Sequence, residues 1–180
     1  MKKELGFLNP KDTVLQMGLR EGMKVADLGV GSGHYAVVAS HLVGETGRVY
    51  AIDIQEDILL RLKDDLRRLG RKNVDTVWGN IEKTGGTKLK DHAVDAVILS
   101  NVLFQLDEKD KAIAEVKRIL APQGKLLVVD WAGAYEGAGP EHERVVREHD
   151  AERMFIDAGF YKVKAFHTGA HHYSILFQAP

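Results

Sequence analysis

No cysteine occurs among the 180 residues. Disulfides, thiolate nucleophiles and cysteine-ligated metals are excluded at once. Net charge is equally scarce: 25 Lys and Arg against 26 Asp and Glu leave −1. No overall field therefore draws the chain to nucleic acid or to an anionic bilayer. No apolar run approaches the roughly 18 residues of a membrane span. The opening M-K-K-E-L-G-F has two lysines but no apolar stretch of the kind a signal peptide carries. Internal repeats and low-complexity tracts are missing too. At 44% hydrophobic and 28% charged, the chain reads as one globular domain over residues 1–180. Its expected location is cytoplasmic.

What is present is organised around residues 25–36, V-A-D-L-G-V-G-S-G-H-Y-A. Residues 25–28 read as a short buried strand. Gly29, Gly31 and Gly33 follow at every second position, and then an apolar run with helical spacing. Strand, glycine turn and helix open a nucleotide-binding α/β sheet. Glycine suits the turn because its backbone angles would be strained for a side chain and because a ligand must lie on the backbone. The helix beginning near Ser32 points free N–H groups at that ligand. A dinucleotide site wants G-x-G-x-x-G, but the place of its third glycine is taken by His34. The pattern here is D-x-G-x-G-x-G, led by Asp27. It resembles motif I of the class I S-adenosylmethionine-dependent methyltransferases. The resemblance implies that Gly29, Gly31 and Gly33 lie under the methionine part of the cofactor. It implies that Asp27 helps to hold the cofactor's amino group.

The remaining elements follow in order. In the preamble, Asn9 and Pro10 are expected to stop any early helix, with Asp12 or Thr13 capping a turn after them. The spacing predicts a helix over 32–43, with Tyr35, Val38, Ala39 and Leu42 on one face. A second strand over 48–54 carries Asp53, 20 residues after Gly33, where an acid accepts from ribose hydroxyls. Ile54 stands beside it. A helix over 56–69 and a strand over 74–78 come next. Gly79-Asn80-Ile81 sits where the family commonly has G-D and an apolar residue. That implies Asn80 at the adenine edge and Ile81 on the ring. Residues 83–92 read as a polar surface connection. A nearly all-apolar strand over 94–99, as a central parallel strand requires, ends at Ser100 and Asn101. These two are compatible with a cofactor contact or with the cap of a short helix. A helix over 109–120 leads into L-A-P-Q-G-K-L, similar to the family's L-x-P-G-G-x-L, with Gln123 in place of the first glycine. Residues 132–149 form a long irregular loop of the kind that is usually functional. Asp150 is expected to cap a last helix ending in A-G-F, and strands over 163–166 and 173–177 close the chain.

The predicted architecture is α/β: a three-layer, Rossmann-like methyltransferase fold. Its seven-stranded, mostly parallel sheet has one antiparallel strand near the C-terminus. Gly139 to Arg144 (G-P-E-H-E-R) and His171 to Tyr173 (H-H-Y) are similar to the small-molecule C-methyltransferases of ubiquinone and menaquinone type. The resemblance implies S-adenosyl-L-methionine as cofactor, S-adenosyl-L-homocysteine as product and in-line transfer to a small-molecule acceptor. No covalent residue is needed. Candidates for a base are His142 and His149 in the loop, Asp130 at the end of strand five, and His171, His172 or Tyr173 in the closing hairpin. Trp131 and Tyr135 are compatible with core cover or with an acceptor wall. His167, His171 and His172 lack metal-site spacing and a neighbouring acid, so no metal is expected. The basic residues between Arg61 and Lys72 alternate with acids and fit a solvated helix face. For an NAD(P)-dependent oxidoreductase the sequence lacks the third glycine and a Tyr-x-x-x-Lys pair. An RNA or protein methyltransferase would end strand four in a motif such as N-P-P-Y, whereas here it ends S-N-V-L. Neither a nucleic-acid partner nor a membrane span is expected. A monomer and a homodimer are both compatible with the sequence.

Overall fold

β1 (Lys24–Leu28) is the centre of the molecule: after the exposed Lys24, four successive residues, Val25 to Leu28, are buried. It lies in a seven-stranded sheet ordered β3-β2-β1-β4-β5-β7-β6. Its companions are β2 (Arg48–Asp53), β3 (Val74–Trp78), β4 (Val94–Ser100), β5 (Leu120–Trp131), β6 (Tyr161–His167) and β7 (His172–Gln178). Only β7 is reversed, antiparallel to both β5 and β6. The protein is seen in a computed structural model that describes residues 9–135, 137 and 139–180.

Helices cover both faces. α1 (Pro10–Leu15), α2 (His34–Leu42) and α3 (Glu56–Arg68) lie on one side. There Val14, Ala39 and Leu62 meet Ala51, Ile98 and Val129 of the sheet. α4 (Lys109–Ile119) and α5 (Glu148–Asp157) lie on the other. There Ile113, Val116 and Phe155 meet Val97, Leu99 and Phe177. β4 feeds both layers, which is why its sequence is apolar without alternation. The strand order turns between β1 and β4, and ligands in such sheets bind beyond the carboxyl ends at that point. No described helix is long and apolar enough to cross a membrane.

Three local expectations are corrected. Asn9, and not Asp12 or Thr13, caps the first helix: its Oδ1 accepts from Lys11 N at 3.0 Å and Asp12 N at 3.3 Å ahead of α1. Pro10 then occupies the first helical position, where a missing N–H costs nothing. α5 begins at Glu148, with Arg147 and not Asp150 at the cap. Glu148 and Asp150 instead put negative charge in its first turn, where the helix dipole favours it. Leu120 leaves α4 and begins β5, pairing with Val94. Gln123 turns the chain with φ +61, a left-handed conformation that glycine usually takes.

The connection at 83–92 is more than a surface link. Glu115 of α4, with its side chain fully buried, accepts from Gly85 N at 2.9 Å, Thr87 N at 3.1 Å and the Thr87 hydroxyl at 2.6 Å. Arg118 donates to it from Nη2 at 2.7 Å and from Nε at 2.8 Å. Burial pushes the Glu115 carboxyl up, but Arg118, Thr87 and the backbone N–H groups outweigh it and lower it to about 2. The folded-state value is depressed, so the contribution is complete above the unfolded value of 4.5 and fades as pH falls toward 2. Glu115→Gln removes one of the two acids that hold the Arg118 guanidinium and leaves it on the exposed Asp91, at 2.6 Å. We expect it to cost about 1.5–3 kcal/mol in urea unfolding at pH 7. The gap between mutant and wild type should narrow as the pH is lowered below 4.

Candidate active site

At the end of β1 the chain turns on three glycines, two required by backbone and packing and the third leaving space. Gly29 has φ +70, and a Cβ there would stand 2.5 Å from Val102 Cγ2. Gly33 has φ +77 at the cap of α2, and a Cβ would stand 2.3 Å from Leu62 Cδ1. Gly31 meets nothing nearer than the Gly29 carbonyl at 4.0 Å. Its missing side chain leaves open space rather than avoiding a clash. The turn is tied to β2, since Gly29 N and Val30 N both donate to Ile52 O, at 2.8 and 3.0 Å. Gly31 N donates to Asp53 Oδ2 at 3.1 Å, and Gln55 N to Asp53 Oδ1 at 3.0 Å. Asp53 therefore fixes the turn from behind.

A cleft of about 940 Å³ opens above the turn. Asp27, Gly29, Gly31, Ser100 and Asn101 line it, joined by Tyr35, Gln105 and, from the start of α1, Asn9 and Lys11. Asp27 is 2% exposed. Its Oδ2 is buried without a partner. Burial pushes its carboxyl up to about 8; the Ala36 N–H draws it back in part, and the charge of Asp53 adds to the rise. Asn101 adopts φ +56, held by its N–H on Val129 O at 2.8 Å and its carbonyl accepting from Gln105 Nε2 at 2.7 Å. Its side-chain oxygen is also buried and unpartnered. Tyr35 presents a third orphan. Its hydroxyl faces those of Ser100 and Thr13 without a well-formed bond to either, and burial raises it to about 12.

The other predicted cofactor residues lie beside this cleft rather than in its wall. Gly33 and Asp53 brace it from behind. Ile54 is 54% exposed at the end of β2. Asn80 Oδ1 accepts from Glu82 N at 2.9 Å, and Ile81 is buried in the α4 layer. Gly79 N, donating to Asp53 O at 3.0 Å, keeps this pair next to β2. The Trp78 indole N–H donates to Ile54 O at 2.9 Å, a link invisible in the sequence. Tyr35 was legible only as an apolar position of the first helix. Its signal was its place in that helix's first turn, where backbone N–H groups and side chains face the same space.

The catalytic candidates fare differently. Asp130 is fully buried. It accepts from Leu103 N at 2.9 Å and from Trp131 N at 2.8 Å. It thus pins the 3₁₀ turn Leu103–Gln105 beneath the cleft, and it is not a free base. Burial pushes its carboxyl to about 6 against the pull of those N–H groups. His142, in the 3₁₀ turn His142–Arg144, and His149, in the first turn of α5, are exposed and line no part of the cleft. Their segment is held elsewhere: Arg144 pairs with Asp107 at 2.9 Å, and the Tyr173 hydroxyl donates to Val146 O at 3.0 Å. That bond occupies Tyr173. His172 packs at a tilt against Trp131 with ring centroids 4.2 Å apart, and His171 against Tyr135 at 4.1 Å. Burial, then the neighbouring His171, pushes the His172 imidazole down.

The family model described as a methyltransferase domain matches residues 19–164. The ubiquinone/menaquinone biosynthesis C-methyltransferase UbiE of Haemophilus ducreyi is 38% identical over 116 residues, 64% of this chain and 44% of that one. The UbiE of Pseudoalteromonas translucida is 34% identical over 78% of this chain and 53% of its own. The chain thus spans about half the length of these relatives. A crystal structure of a SAM dependent methyltransferase from Aquifex aeolicus superposes with a TM-score of 0.88 at 30% identity, covering 100% of this chain and 94% of that one. The [4+2]-cyclase SpnF, 17% identical with a TM-score of 0.81 over 94% of this chain and 79% of its own, shares the fold alone. On sequence, sheet order and glycine turn together, the chain belongs to the methyltransferase domain family, built as its S-adenosylmethionine-dependent members are.

Proposed function

We propose that residues 1–180 work as a single domain that transfers the methyl group of S-adenosylmethionine to a small-molecule acceptor and releases S-adenosylhomocysteine. The observation that carries this reading is the set of orphan polar atoms in the cleft wall. Asp27 Oδ2 and Asn101 Oδ1 are two buried acceptors with no donor among the described residues. Buried polar groups are normally satisfied, and two unpartnered acceptors lining one cleft, one of them a raised carboxyl, suit an ammonium group. The methionine end of the cofactor carries one. Gly31, with no side chain at φ +50, leaves the backbone bare beside them.

S-adenosylmethionine, when bound, supplies a methyl group already activated on a positively charged sulfur. The chain's own residues then bind and align. Asp27 and Asn101 accept from the ammonium, and Asp53 has lone pairs to spare for the ribose hydroxyls. Ile54, Asn80 and Ile81 border the adenine end. Tyr35 and Ser100 set hydroxyls in the inner wall, while Asn9, Lys11 and Gln105 narrow the mouth and limit water. Alignment of this kind supplies a large part of the acceleration in a direct displacement. One chain supplies every group named, so a monomer suffices. The S-N-V-L end of β4 and the near-zero net charge favour a small acceptor over a nucleic acid.

Incubation with S-adenosylmethionine and a panel of quinols, catechols, amines and carboxylates, followed by mass spectrometry of the products, tests this. Stoichiometric S-adenosylhomocysteine and a methylated acceptor support it. Absence of both, together with absence of cofactor binding, overturns it. A finer test concerns Gly31. Gly31→Ala places a methyl in the cleft on a left-handed backbone. We expect about tenfold weaker cofactor binding with only about 1 kcal/mol lost in stability, read by calorimetry and thermal melting.

A further inference from the structure

Five of the six basic residues from Arg61 to Lys72 fall into two groups. Arg61, Arg67 and Arg68 pair with Asp57, Asp64 and Asp65 along α3, at 2.8, 3.3 and 2.6 Å. Arg71 and Lys72 have no acid within 4.0 Å among the described residues. Both line a second cavity, of about 510 Å³, together with His41, Glu45 and Arg48. It lies where β2 and β3 begin, at the opposite end of the strands from the glycine turn.

Cations gather at such places to answer helix C-termini, and α2 and α3 both end here. Those ends are already satisfied by other groups. Asn73 Nδ2 donates to Ser40 O and to Gly44 O, each at 2.8 Å. Past α3, Gly70 N donates to Arg67 O at 3.1 Å and Arg71 N to Leu66 O at 2.8 Å. The Arg71 side chain is left over. Its Nη2 lies against Nε2 of His41. The other ring nitrogen of His41 donates to Val37 O at 2.8 Å, which leaves Nε2 as an acceptor. An imidazole, not a carboxylate, therefore faces the guanidinium, and Arg71 Nε is buried with no acceptor among the described residues. Arg48 is shared, with Asp75 at 3.5 Å and Lys72 O at 3.1 Å. Glu45 is the one carboxylate among the residues lining the cavity.

We propose that this cavity binds a phosphate-type oxyanion, with Arg71 as its principal ligand and Lys72 and Arg48 beside it. A permanently charged planar fork without a counter-charge matches oxyanion geometry. The proposal is independent of the cofactor cleft.

Calorimetric titration of the full chain with pyrophosphate and with inorganic phosphate, at physiological ionic strength, tests it in wild type, Arg71→Gln and Lys72→Gln. Saturable one-site binding, weakened about tenfold in Arg71→Gln and less in Lys72→Gln, is expected. Unchanged melting temperatures in both variants show that the fold is intact. No saturable binding overturns the proposal, and so does equal binding by wild type and Arg71→Gln, which marks a diffuse charge effect. Phosphatidylglycerol vesicles form the last arm. Vesicle binding without any binding of the free anions assigns the cations to a lipid surface and overturns the small-anion site.

Discussion

Asp27→Asn weakens S-adenosylmethionine binding about 10- to 100-fold while leaving the unliganded fold at least as stable. The two halves of this expectation share one cause. Burial is the largest influence on the Asp27 carboxyl and raises it to about 8. At pH 7 the unliganded protein therefore holds Asp27 mostly protonated. Asparagine mimics that neutral form, so little folding energy is lost. A bound ammonium needs the carboxylate, whose charge-assisted hydrogen bonds contribute about 1.5–3 kcal/mol. Asparagine removes the charge and can set a donor where the ligand already donates.

The same raised value fixes a pH dependence. The folded chain holds this proton more tightly than the unfolded chain, whose value is 3.8. The stability it contributes is complete below pH 3.8 and is lost as pH rises through 8. Affinity moves the other way. Cofactor binding at pH 7 should release about one proton from Asp27, and affinity should rise about fivefold between pH 7 and 8 as the carboxylate fraction grows. Calorimetry in buffers of different ionisation enthalpy reads the released proton directly. Asp27→Asn should abolish the buffer dependence.

Gly33→Ala has the largest expected effect on the fold. The backbone there is left-handed at φ +77, which costs a non-glycine residue about 1 kcal/mol. The new Cβ would also stand 2.3 Å from Leu62 Cδ1. Leu62 is 2% exposed in the layer between α3 and the sheet, so it has little room to yield. Overpacking of this kind costs a further 1–3 kcal/mol. The sum, about 2–4 kcal/mol, lowers the melting temperature by about 5–15 °C for a domain of this size. Leu62→Ala in the same chain should restore part of the loss, because it removes the atoms in the way. Additive losses in the double variant would show that strain at the turn, not the clash, dominates.

Much of this was legible from local pattern. The strands and helices follow apolar periodicity, and the glycine turn and closing hairpin follow turn chemistry, all within a few residues of chain. Asn9 was misread because Asn-Pro serves equally as a stop and as a cap with proline at the first helical position. Only the Asn9 side-chain bonds to Lys11 and Asp12 decide between them. What the sequence hid is long-range. Glu115 reaches Gly85 and Thr87 across about thirty positions of chain, and Asp130 reaches Leu103 in the neighbouring crossover. An acid at a strand end reads as a base until its oxygens are seen to be occupied. His142 and His149 lay in a loop whose course no periodicity fixes. Tie points at Asp107 and Val146 carry them away from the cleft. Tyr35 is the converse case, an apparent core residue whose hydroxyl lies in the cleft wall.

The measurement that tests the central claim most directly is calorimetric titration with S-adenosylhomocysteine, S-adenosylmethionine and NADH, on wild type and Asp27→Asn. The account predicts one-site binding of both adenosyl sulfur compounds, lost or weakened about 10- to 100-fold in the variant, and no binding of NADH. Binding of NADH, or equal affinity of wild type and Asp27→Asn for S-adenosylhomocysteine, would contradict it.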